Sequence, residues 1–333
     1  MTDDGGAVKI LIAGGAGYIG ATIASACEDA GHVPVILDDF STGRPEYVRD
    51  RIVYHVDIAN AELIARIVHE HPDIFAVIHC AARIVVPESV ADPLAYYAAN
   101  VSDTVVFLRA LESAGLTRVV FSSSASVYAS ADGGGIDEQA PLAPLSPYAR
   151  TKAMVEAMLS DAGLAGQLRA LSLRYFNPIG VDPEGRSGPT SDRPSHVLGL
   201  LMRAARDGTT FTITGTDWPT RDGSGLRDFI HVWDLALAHV RAVERFDDVV
   251  PSDQGHRVLN IGTGRGTTVR ELVEIFREVS GMDVTVAEGP RRAGDAAGGF
   301  ALVNAAEAAL QWRAERSIPD AVRSALKWQN RPR

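Results

Sequence analysis

The chain has 333 residues, of which 46% are hydrophobic, and this length provides one large domain or two lobes around a sizeable core. A formal charge of −10 argues against a nucleic-acid-binding protein, and two cysteines, Cys27 and Cys80, cannot form a disulfide framework. No apolar run is long enough to span a bilayer, and the N-terminus lacks the features of a secretory signal. We therefore expect a cytoplasmic protein with buried free thiols, and we expect neither a nucleic acid nor a membrane as its partner.

Along the first half of the chain, short apolar runs alternate with stretches of helical periodicity. The predicted strands cover residues 8–14, 33–39, 74–82, 118–125 and 170–177. The predicted helices cover residues 19–31, 61–71, 96–115 and 152–163. Buried strands that are separated by helices form parallel sheets covered on both faces. We therefore predict an α/β fold with a Rossmann-type doubly wound parallel sheet.

After residue 177 the alternation gives way to loops and more widely spaced elements. Strands are predicted at 210–214 and 258–264, and helices at 232–246 and 268–281. We predict a first domain made of residues 1–177 and about 226–263. A smaller C-terminal α/β lobe for the substrate would comprise residues 178–225 and 264–333.

Three glycines, Gly14, Gly17 and Gly20, join the first predicted strand to the first predicted helix. Glycines at this spacing let the turn tighten, let the backbone approach a pyrophosphate and leave the helix N-terminus facing the phosphates. Asp38 ends the second predicted strand, where a carboxylate accepts hydrogen bonds from a ribose diol and repels a 2′-phosphate. Such turns also occur without ligands, and Asp38 could simply begin a turn. In this strand–turn–helix context we predict that the first domain binds NAD.

The segment SPYARTK places Tyr148 four residues before Lys152, so a helix that starts at Pro147 presents both on one face. The simpler interpretation is a surface aromatic–basic pair. Ser124 favours a catalytic interpretation, because it ends the strand VVFSSS at the sheet edge where open α/β sheets bind ligands. A phenol with an ordinary pKa of about 10 becomes a usable base when an ammonium and an oxidised nicotinamide stabilise its phenolate.

Together these motifs resemble the extended short-chain dehydrogenase/reductase superfamily and, within it, the UDP-glucose 4-epimerases. The resemblance covers nearly the whole chain, and the segment RDGSGLRDFIHV is its most specific part. The matching segments are GGAGYIG (14–20), FSSSASVY (121–128), SPYARTK (146–152), LRYFNPIG (173–180), PTRDGSGLRDFIHVWDLA (219–236) and RRAGD (291–295).

The resemblance implies a set of site residues with NAD as cofactor and a UDP-sugar as substrate. The implied catalytic residues are Ser124, Tyr148 and Lys152. The implied cofactor contacts are Gly14, Gly17, Tyr18, Ile19, Gly20, Asp38, Asp39, Asp57, Ile58, Cys80, Ala81, Ala82, Asn100, Ser122, Tyr148, Lys152 and Phe176. The implied substrate contacts are Ser124, Tyr148, Asn177, His196, Val197, Arg227, Arg292, Asp295 and Gly299.

The residue after Ser124 bears on which reaction the resemblance implies. Related sugar-nucleotide dehydratases and decarboxylases typically carry an acid at this position, whereas this chain has Ala125. Simple oxidation and reduction at one carbon is therefore implied. Tyr148 as phenolate would take the proton of the sugar 4-hydroxyl, and the 4-keto sugar would turn over before it is reduced on its other face.

Three positions depart from the family pattern. Ile84 stands where family members often have a lysine near the cofactor, and His196 replaces an asparagine near the diphosphate. Gly299 stands where a tyrosine or a smaller residue lies beside the sugar. A glycine there enlarges the pocket, so we predict that N-acetylated UDP-hexosamines are also accepted.

Other functions fit parts of the pattern. The chain could be a 4-epimerase of another nucleotide sugar, such as UDP-glucuronate, or a non-catalytic NAD-sensing protein. The sensing proteins can dispense with the tyrosine–lysine pair, which this chain keeps. Nine scattered histidines without an H-x-x-x-H spacing argue against a metal enzyme. The helices predicted at 96–115 and after Tyr148 could pair across a two-fold axis, so we expect a homodimer.

Overall fold

A computed structural model of the chain describes residues 6–129, 132–189, 194, 196–291 and 296–331. The strands are β1 (Lys9–Ala13), β2 (Val33–Asp38), β3 (Ile52–His55), β4 (Ile74–His79), β5 (Arg118–Ser124), β6 (Gly135–Ile136), β7 (Arg169–Tyr175), β8 (Asn177–Ile179), β9 (Phe211–Thr214), β10 (Leu226–Arg227), β11 (Phe229–His231), β12 (His256–Ile261), β13 (Thr267–Thr268), β14 (Val286–Gly289) and β15 (Gly298–Ala301). The α-helices are α1 (Tyr18–Asp29), α2 (Ala61–Glu70), α3 (Val86–Ala91), α4 (Pro93–Tyr97), α5 (Asp103–Ser113), α6 (Pro147–Leu164), α7 (Val197–Asp207), α8 (Val232–Glu244), α9 (Phe246–Val249), α10 (Val269–Ser280), α11 (Asn304–Leu310) and α12 (Ile318–Gln329).

A parallel sheet of seven strands in the order β12-β7-β5-β4-β1-β2-β3 forms the centre of the molecule. Side chains alternate along a strand, so β1 contributes Ile10 and Ile12 to one apolar cluster and Leu11 and Ala13 to the other. The first cluster packs with α1 and α8, and the second with α2, α5 and α6. This doubly wound arrangement confirms the predicted fold class.

The second half of the chain adds three smaller sheets and a third apolar cluster that includes residues of α7, α10 and α12. In the sheet β13-β10-β15-β6, the parallel pairing of β10 with β15 places Arg227 opposite Gly299. The strands approach closely there, since a Cβ atom on Gly298 would lie 1.9 Å from the Leu226 carbonyl oxygen. Residues far apart in sequence therefore meet beside the carboxyl edge of the main sheet.

The helix predicted at 96–115 is interrupted in the structure. Helix α4 ends at Tyr97, a π-helical turn covers Ala98–Ser102, and α5 follows. Asn100 lies in this turn, where its Oδ1 accepts from the Arg83 amide at 2.8 Å and its Nδ2 donates to the Arg83 carbonyl at 2.9 Å. The interruption thus serves to hold the loop after β4.

Both cysteines are free, as predicted, but only Cys27 is buried. Cys80 is half-buried and its Sγ lies 3.0 Å from the Ser122 hydroxyl. Within the described ranges no helix is long and apolar enough to cross a membrane. In those same residues, no group of three or more His, Cys, Asp or Glu side chains is arranged to hold a metal ion.

Three buried imidazoles predict a loss of stability at mildly acidic pH. Burial lowers the pKa of His79 to about 3 and the pKa values of His231 and His239 to about 4, all from 6.5. Between these values and pH 6.5 the unfolded chain binds protons that the folded chain does not, so stability falls as the pH falls. Each neutral imidazole contributes at most about 1.4 kcal/mol per pH unit. Urea unfolding at pH 7, 6 and 5 measures the slope.

A comparison of variants separates the contribution of one imidazole to this slope from that of carboxylates that titrate in the same pH range. His239→Gln should lower the slope by about 1 kcal/mol per pH unit. His69→Gln, which changes an exposed histidine on α2, should leave the slope as in the wild type. Equal slopes for wild type and His239→Gln would contradict a neutral buried His239.

Candidate active site

The turn between β1 and α1 brings three chain segments into close contact. Gly14 has a φ of +78°, and a Cβ atom there would lie 2.7 Å from the amide nitrogen of Ala81. A Cβ atom on Gly20 would lie 2.1 Å from the Gly14 carbonyl oxygen. Gly17 is the N-cap of α1, and Tyr18 and Ile19 form its first turn. The close approach of backbone in this turn and the N-terminus of α1 beside it fit a pyrophosphate.

Asp38 ends β2 beside this turn and is 7% exposed. Its carboxylate accepts from the amides of Ala16 and Phe40, each at 2.8 Å. Burial raises the pKa of Asp38, while these two amide hydrogen bonds act to lower it. The amides fix the carboxylate and leave further lone pairs on both oxygens, which suits a ribose diol.

The predicted catalytic residues meet at the carboxyl edge of the sheet. Ser124 ends β5, and its side chain lies beside the phenol of Tyr148 in the first turn of α6. Lys152 follows one turn later and is 3% exposed. Its Nζ donates to the Ser122 carbonyl at 2.7 Å and lies 4.7 Å from the centre of the Phe121 ring. The pair is therefore buried, and the interpretation as a surface aromatic–basic pair is wrong.

The electrostatics of this group depend on what binds beside it. Burial raises the pKa of Tyr148, and the hydrogen bond with Ser124 acts to lower it. Burial also lowers the pKa of Lys152 to about 8. A low-dielectric pocket of this kind disfavours an isolated phenolate, so a further positive charge is needed beside Tyr148 at neutral pH. An oxidised nicotinamide supplies such a charge, which is a second respect in which the site fits NAD.

The other residues predicted around the cofactor lie along the same sheet edge. Asp39 and Asp57 follow β2 and β3 and are exposed, and each accepts a hydrogen bond from the amide two residues later. Ile58 is buried beside Asp57. Tyr18 donates to the Gly180 carbonyl at 2.6 Å, so its phenol links α1 to the second half of the chain. The loop after β4 contributes Cys80, Ala81 and Ala82, while Ser122 lies within β5 and Phe176 follows β7.

The residues predicted for the substrate are brought together only in part. Asn177 begins β8, and Val197 begins α7 behind His196. The Nδ1 of His196 accepts from the Gly199 amide at 3.1 Å, which leaves Nε2 as the donor for a phosphate. Arg227 donates to the carbonyls of residues 296 and 297 beside Gly299. Arg292 and Asp295 lie outside the described residues.

Two buried carboxylates at this edge were missed from the sequence. Asp228 is fully buried and accepts hydrogen bonds from Thr263, Gly264 and Ala301. Glu156 is paired with Arg174 behind Lys152. The only signal for Glu156 was its spacing of four from Lys152, which continues the face defined by Tyr148.

Comparison with known proteins gives matches over most or nearly all of the chain. A family model described as the NAD dependent epimerase/dehydratase family matches residues 10–262. The UDP-glucose 4-epimerase of Azospirillum brasilense is 41% identical over 333 residues, which cover 99% of this chain and 94% of that protein.

Two solved structures are similar over the whole fold. The UDP-glucose-4-epimerase from Stenotrophomonas maltophila, with bound NAD and formylated UDP-arabinopyranose, is 36% identical with a TM-score of 0.92. That match covers 97% of this chain and 98% of the other. The UDP-Glc/GlcNAc 4-epimerase from Campylobacter jejuni is 30% identical with a TM-score of 0.83, covering 97% of this chain and 99% of the other.

Proposed function

The chain belongs to the NAD dependent epimerase/dehydratase family, and from this premise we propose that it is an NAD-dependent 4-epimerase that interconverts UDP-glucose and UDP-galactose. The observation that carries the proposal is the position of three side chains at the carboxyl edge of the sheet: the half-buried Ser124 lies beside the buried Tyr148 phenol, and Lys152 is buried one helical turn after Tyr148. The residue after Ser124 is Ala125, so no acid stands there for elimination chemistry. Such an activity belongs to galactose metabolism.

In the proposed reaction Tyr148 is the base and later the acid. Its phenolate accepts the proton of the sugar 4-hydroxyl, while Ser124 donates a hydrogen bond to the same oxygen and Lys152 stabilises the phenolate. Bound NAD supplies the redox chemistry, because it can accept hydride from carbon 4 and give it back. The 4-keto sugar, held by its diphosphate, turns its other face before Tyr148 returns the proton to the oxygen. The oxygen thus regains its proton and carbon 4 regains its hydride, so only the configuration at carbon 4 changes.

Asp38 and the glycine turn favour NAD over NADP in this proposal. The Asp38 carboxylate is fixed by two amides, so it can accept from both ribose hydroxyls but would repel a phosphate on one of them. Asn100 holds the backbone of Arg83 by both its Oδ1 and its Nδ2, and it thereby supports the loop of Cys80, Ala81 and Ala82, which we propose contacts the cofactor.

The experiment that tests the proposed function is a coupled assay of the purified protein with UDP-glucose, UDP-galactose, their N-acetylated counterparts and UDP-glucuronate. We expect turnover of the UDP-glucose and UDP-galactose pair in both directions, without added oxidant. Turnover of UDP-glucuronate alone would indicate the uronate epimerase instead. A protein that contains no NAD, binds none and leaves every UDP-sugar unchanged would refute the proposal.

A wider sugar pocket is proposed at Gly299. This residue is buried in β15 opposite Arg227, and it carries no side chain that could close the space beside a sugar. We expect Gly299→Tyr to lower kcat/KM for UDP-N-acetylglucosamine by about 10- to 100-fold while UDP-glucose changes by less than about threefold. Gly299→Ala, a small control, should retain both activities. No wild-type turnover of UDP-N-acetylglucosamine would contradict the prediction.

We also propose that the protein is a cytoplasmic homodimer. Helices α3, α4 and α6 contact one another, and they expose the apolar side chains of Val86, Val90, Leu94 and Met154. Leu94 is the most exposed of these at 78%, which suits a position at the centre of an interface. Light scattering should give the mass of two chains for the wild type and of one chain for Leu94→Glu. A monomeric wild type would refute the dimer, and fractionation of cells tests the location.

A further inference from the structure

A buried ion pair lies directly behind the proposed catalytic group. Glu156 follows Lys152 by four residues on α6, so Tyr148, Lys152 and Glu156 share one helical face. Glu156 and Arg174 are each 5% exposed. The Nε of Arg174 donates to both carboxylate oxygens of Glu156, at 2.9 and 3.1 Å. The pair is almost closed off from water, and its hydrogen bonds to other described residues run to Ser123, Tyr128 and the Glu138 carbonyl, none of which is a proposed substrate contact.

The Glu156 carboxylate also binds the strand that ends in Ser124. The Ser123 hydroxyl donates to Oε1 of Glu156, and Ser123 is fully buried. Ser123 immediately precedes Ser124 on β5, while Arg174 lies on β7. One carboxylate on α6 therefore holds two neighbouring strands at the ends that form the site.

The partners of Arg174 are themselves fixed. Its Nη1 donates to the Tyr128 hydroxyl at 2.9 Å, and that hydroxyl donates to Oδ1 of Asn260 at 2.6 Å. Tyr128 is 5% exposed and Asn260 is fully buried. An ion pair in this position gains little net stability, because removing two charges from water costs about as much as their attraction returns. The ion pair of Glu156 and Arg174 therefore acts mainly by fixing the geometry of the elements that it joins.

We propose that Glu156 is a positioning residue: by binding Ser123 and Arg174 together, it fixes the rotation of α6 against β5 and so holds the Tyr148 phenol against the Ser124 hydroxyl. Thr151 fixes the first turn of α6 through a separate set of hydrogen bonds. Thr151 donates to the Tyr148 carbonyl at 2.7 Å and accepts from Nδ2 of Asn100 at 3.1 Å. With both contacts in place, the first two turns of α6 have one orientation over the sheet edge.

Two variants weaken the contacts of Glu156 while its charge is kept. Glu156→Asp keeps the charge but is one methylene shorter, so it cannot bind Ser123 and Arg174 at once. We expect kcat to fall roughly 10- to 100-fold with KM within about twofold of the wild type. Ser123→Ala removes one hydrogen bond and leaves the ion pair intact, and a fall in kcat of about three- to tenfold is expected. If Glu156→Asp does not fold, Ser123→Ala decides.

A buried carboxylate in an ion pair away from the site provides the control. Asp234 on α8 is 1% exposed and pairs with the partly exposed Arg316 at 3.1 Å. Asp234→Asn should lower the unfolding temperature while kcat stays within about twofold of the wild type. Values of kcat within twofold of the wild type for both Glu156→Asp and Ser123→Ala would overturn the proposal. A loss in Glu156→Asp no larger than that in Asp234→Asn would do so as well.

The kinetic readout for Glu156 rests on the proposed function. A crystal structure of Glu156→Asp with NAD and UDP provides a second readout, which needs no turnover. We expect the distance between the Tyr148 and Ser124 hydroxyl oxygens to lengthen by about 1 Å. An unchanged distance would overturn the positioning role even if the epimerase activity is confirmed. A wild type that epimerises no UDP-hexose would refute the proposed function, while this distance would still decide the role of Glu156.

Discussion

Tyr148→Phe is expected to lower kcat for UDP-glucose by about 10²- to 10⁴-fold while KM stays within about threefold. The substitution removes only the phenol oxygen, which is the proposed base and acid and the partner of Ser124. Because the ring and its burial are kept, the stability and the NAD content of the purified protein should change little. Coupled turnover measures kcat, and the absorbance of bound nucleotide measures the NAD content.

A second tyrosine serves as the control for this substitution. Tyr54 lies on the edge strand β3, where its hydroxyl donates to Glu70 at 3.0 Å, away from the proposed site. Tyr54→Phe should leave kcat within about twofold of the wild type. If Tyr148→Phe keeps more than about a tenth of the wild-type kcat, proton transfer by Tyr148 is not the chemistry of this site.

Lys152→Met should have the second largest effect, a fall in kcat of about 10²- to 10³-fold together with a lower NAD content. The methionine occupies a similar volume, but it supplies neither the charge that favours the phenolate nor the donor that binds the Ser122 carbonyl at 2.7 Å. Lys152→Arg should also lower kcat, since the larger guanidinium does not fit at a position where the lysine is 3% exposed.

The control for Lys152 is the exposed Lys327 on α12. Lys327→Met should retain both the activity and the NAD content of the wild type. Wild-type kcat in Lys152→Met would show that the phenolate does not depend on the ammonium, and the proposed mechanism would then lose its explanation for the acidity of Tyr148.

The central fold was predictable because its strands are long, apolar and separated by regular helices. The predicted strand 33–39 and helix 61–71 differ from β2 and α2 by a single residue at one end. The short strands β10, β13 and β15 were not predicted, since two to four residues carry no periodicity and their pairing joins distant segments. The domain division at residues 177–178, 225–226 and 263–264 stays a prediction.

The family was predictable from local motifs, and its membership is confirmed by the family match. Tyr148 and Lys152 could be placed together because a helix fixes the spacing of residues four apart. Asp228 and Glu156 could not be placed, because a buried carboxylate and a solvated one look alike in a sequence. Their roles depend on partners such as Arg174 and Ala301, which only the tertiary structure brings near.

The central claim is that Tyr148 acts on the hydroxyl oxygen while the hydrogen on carbon 4 leaves and returns without meeting solvent. UDP-glucose that carries deuterium on carbon 4 tests this directly in ordinary water. The account predicts UDP-galactose that keeps the deuterium on carbon 4. Product that has exchanged this deuterium for solvent hydrogen would contradict it.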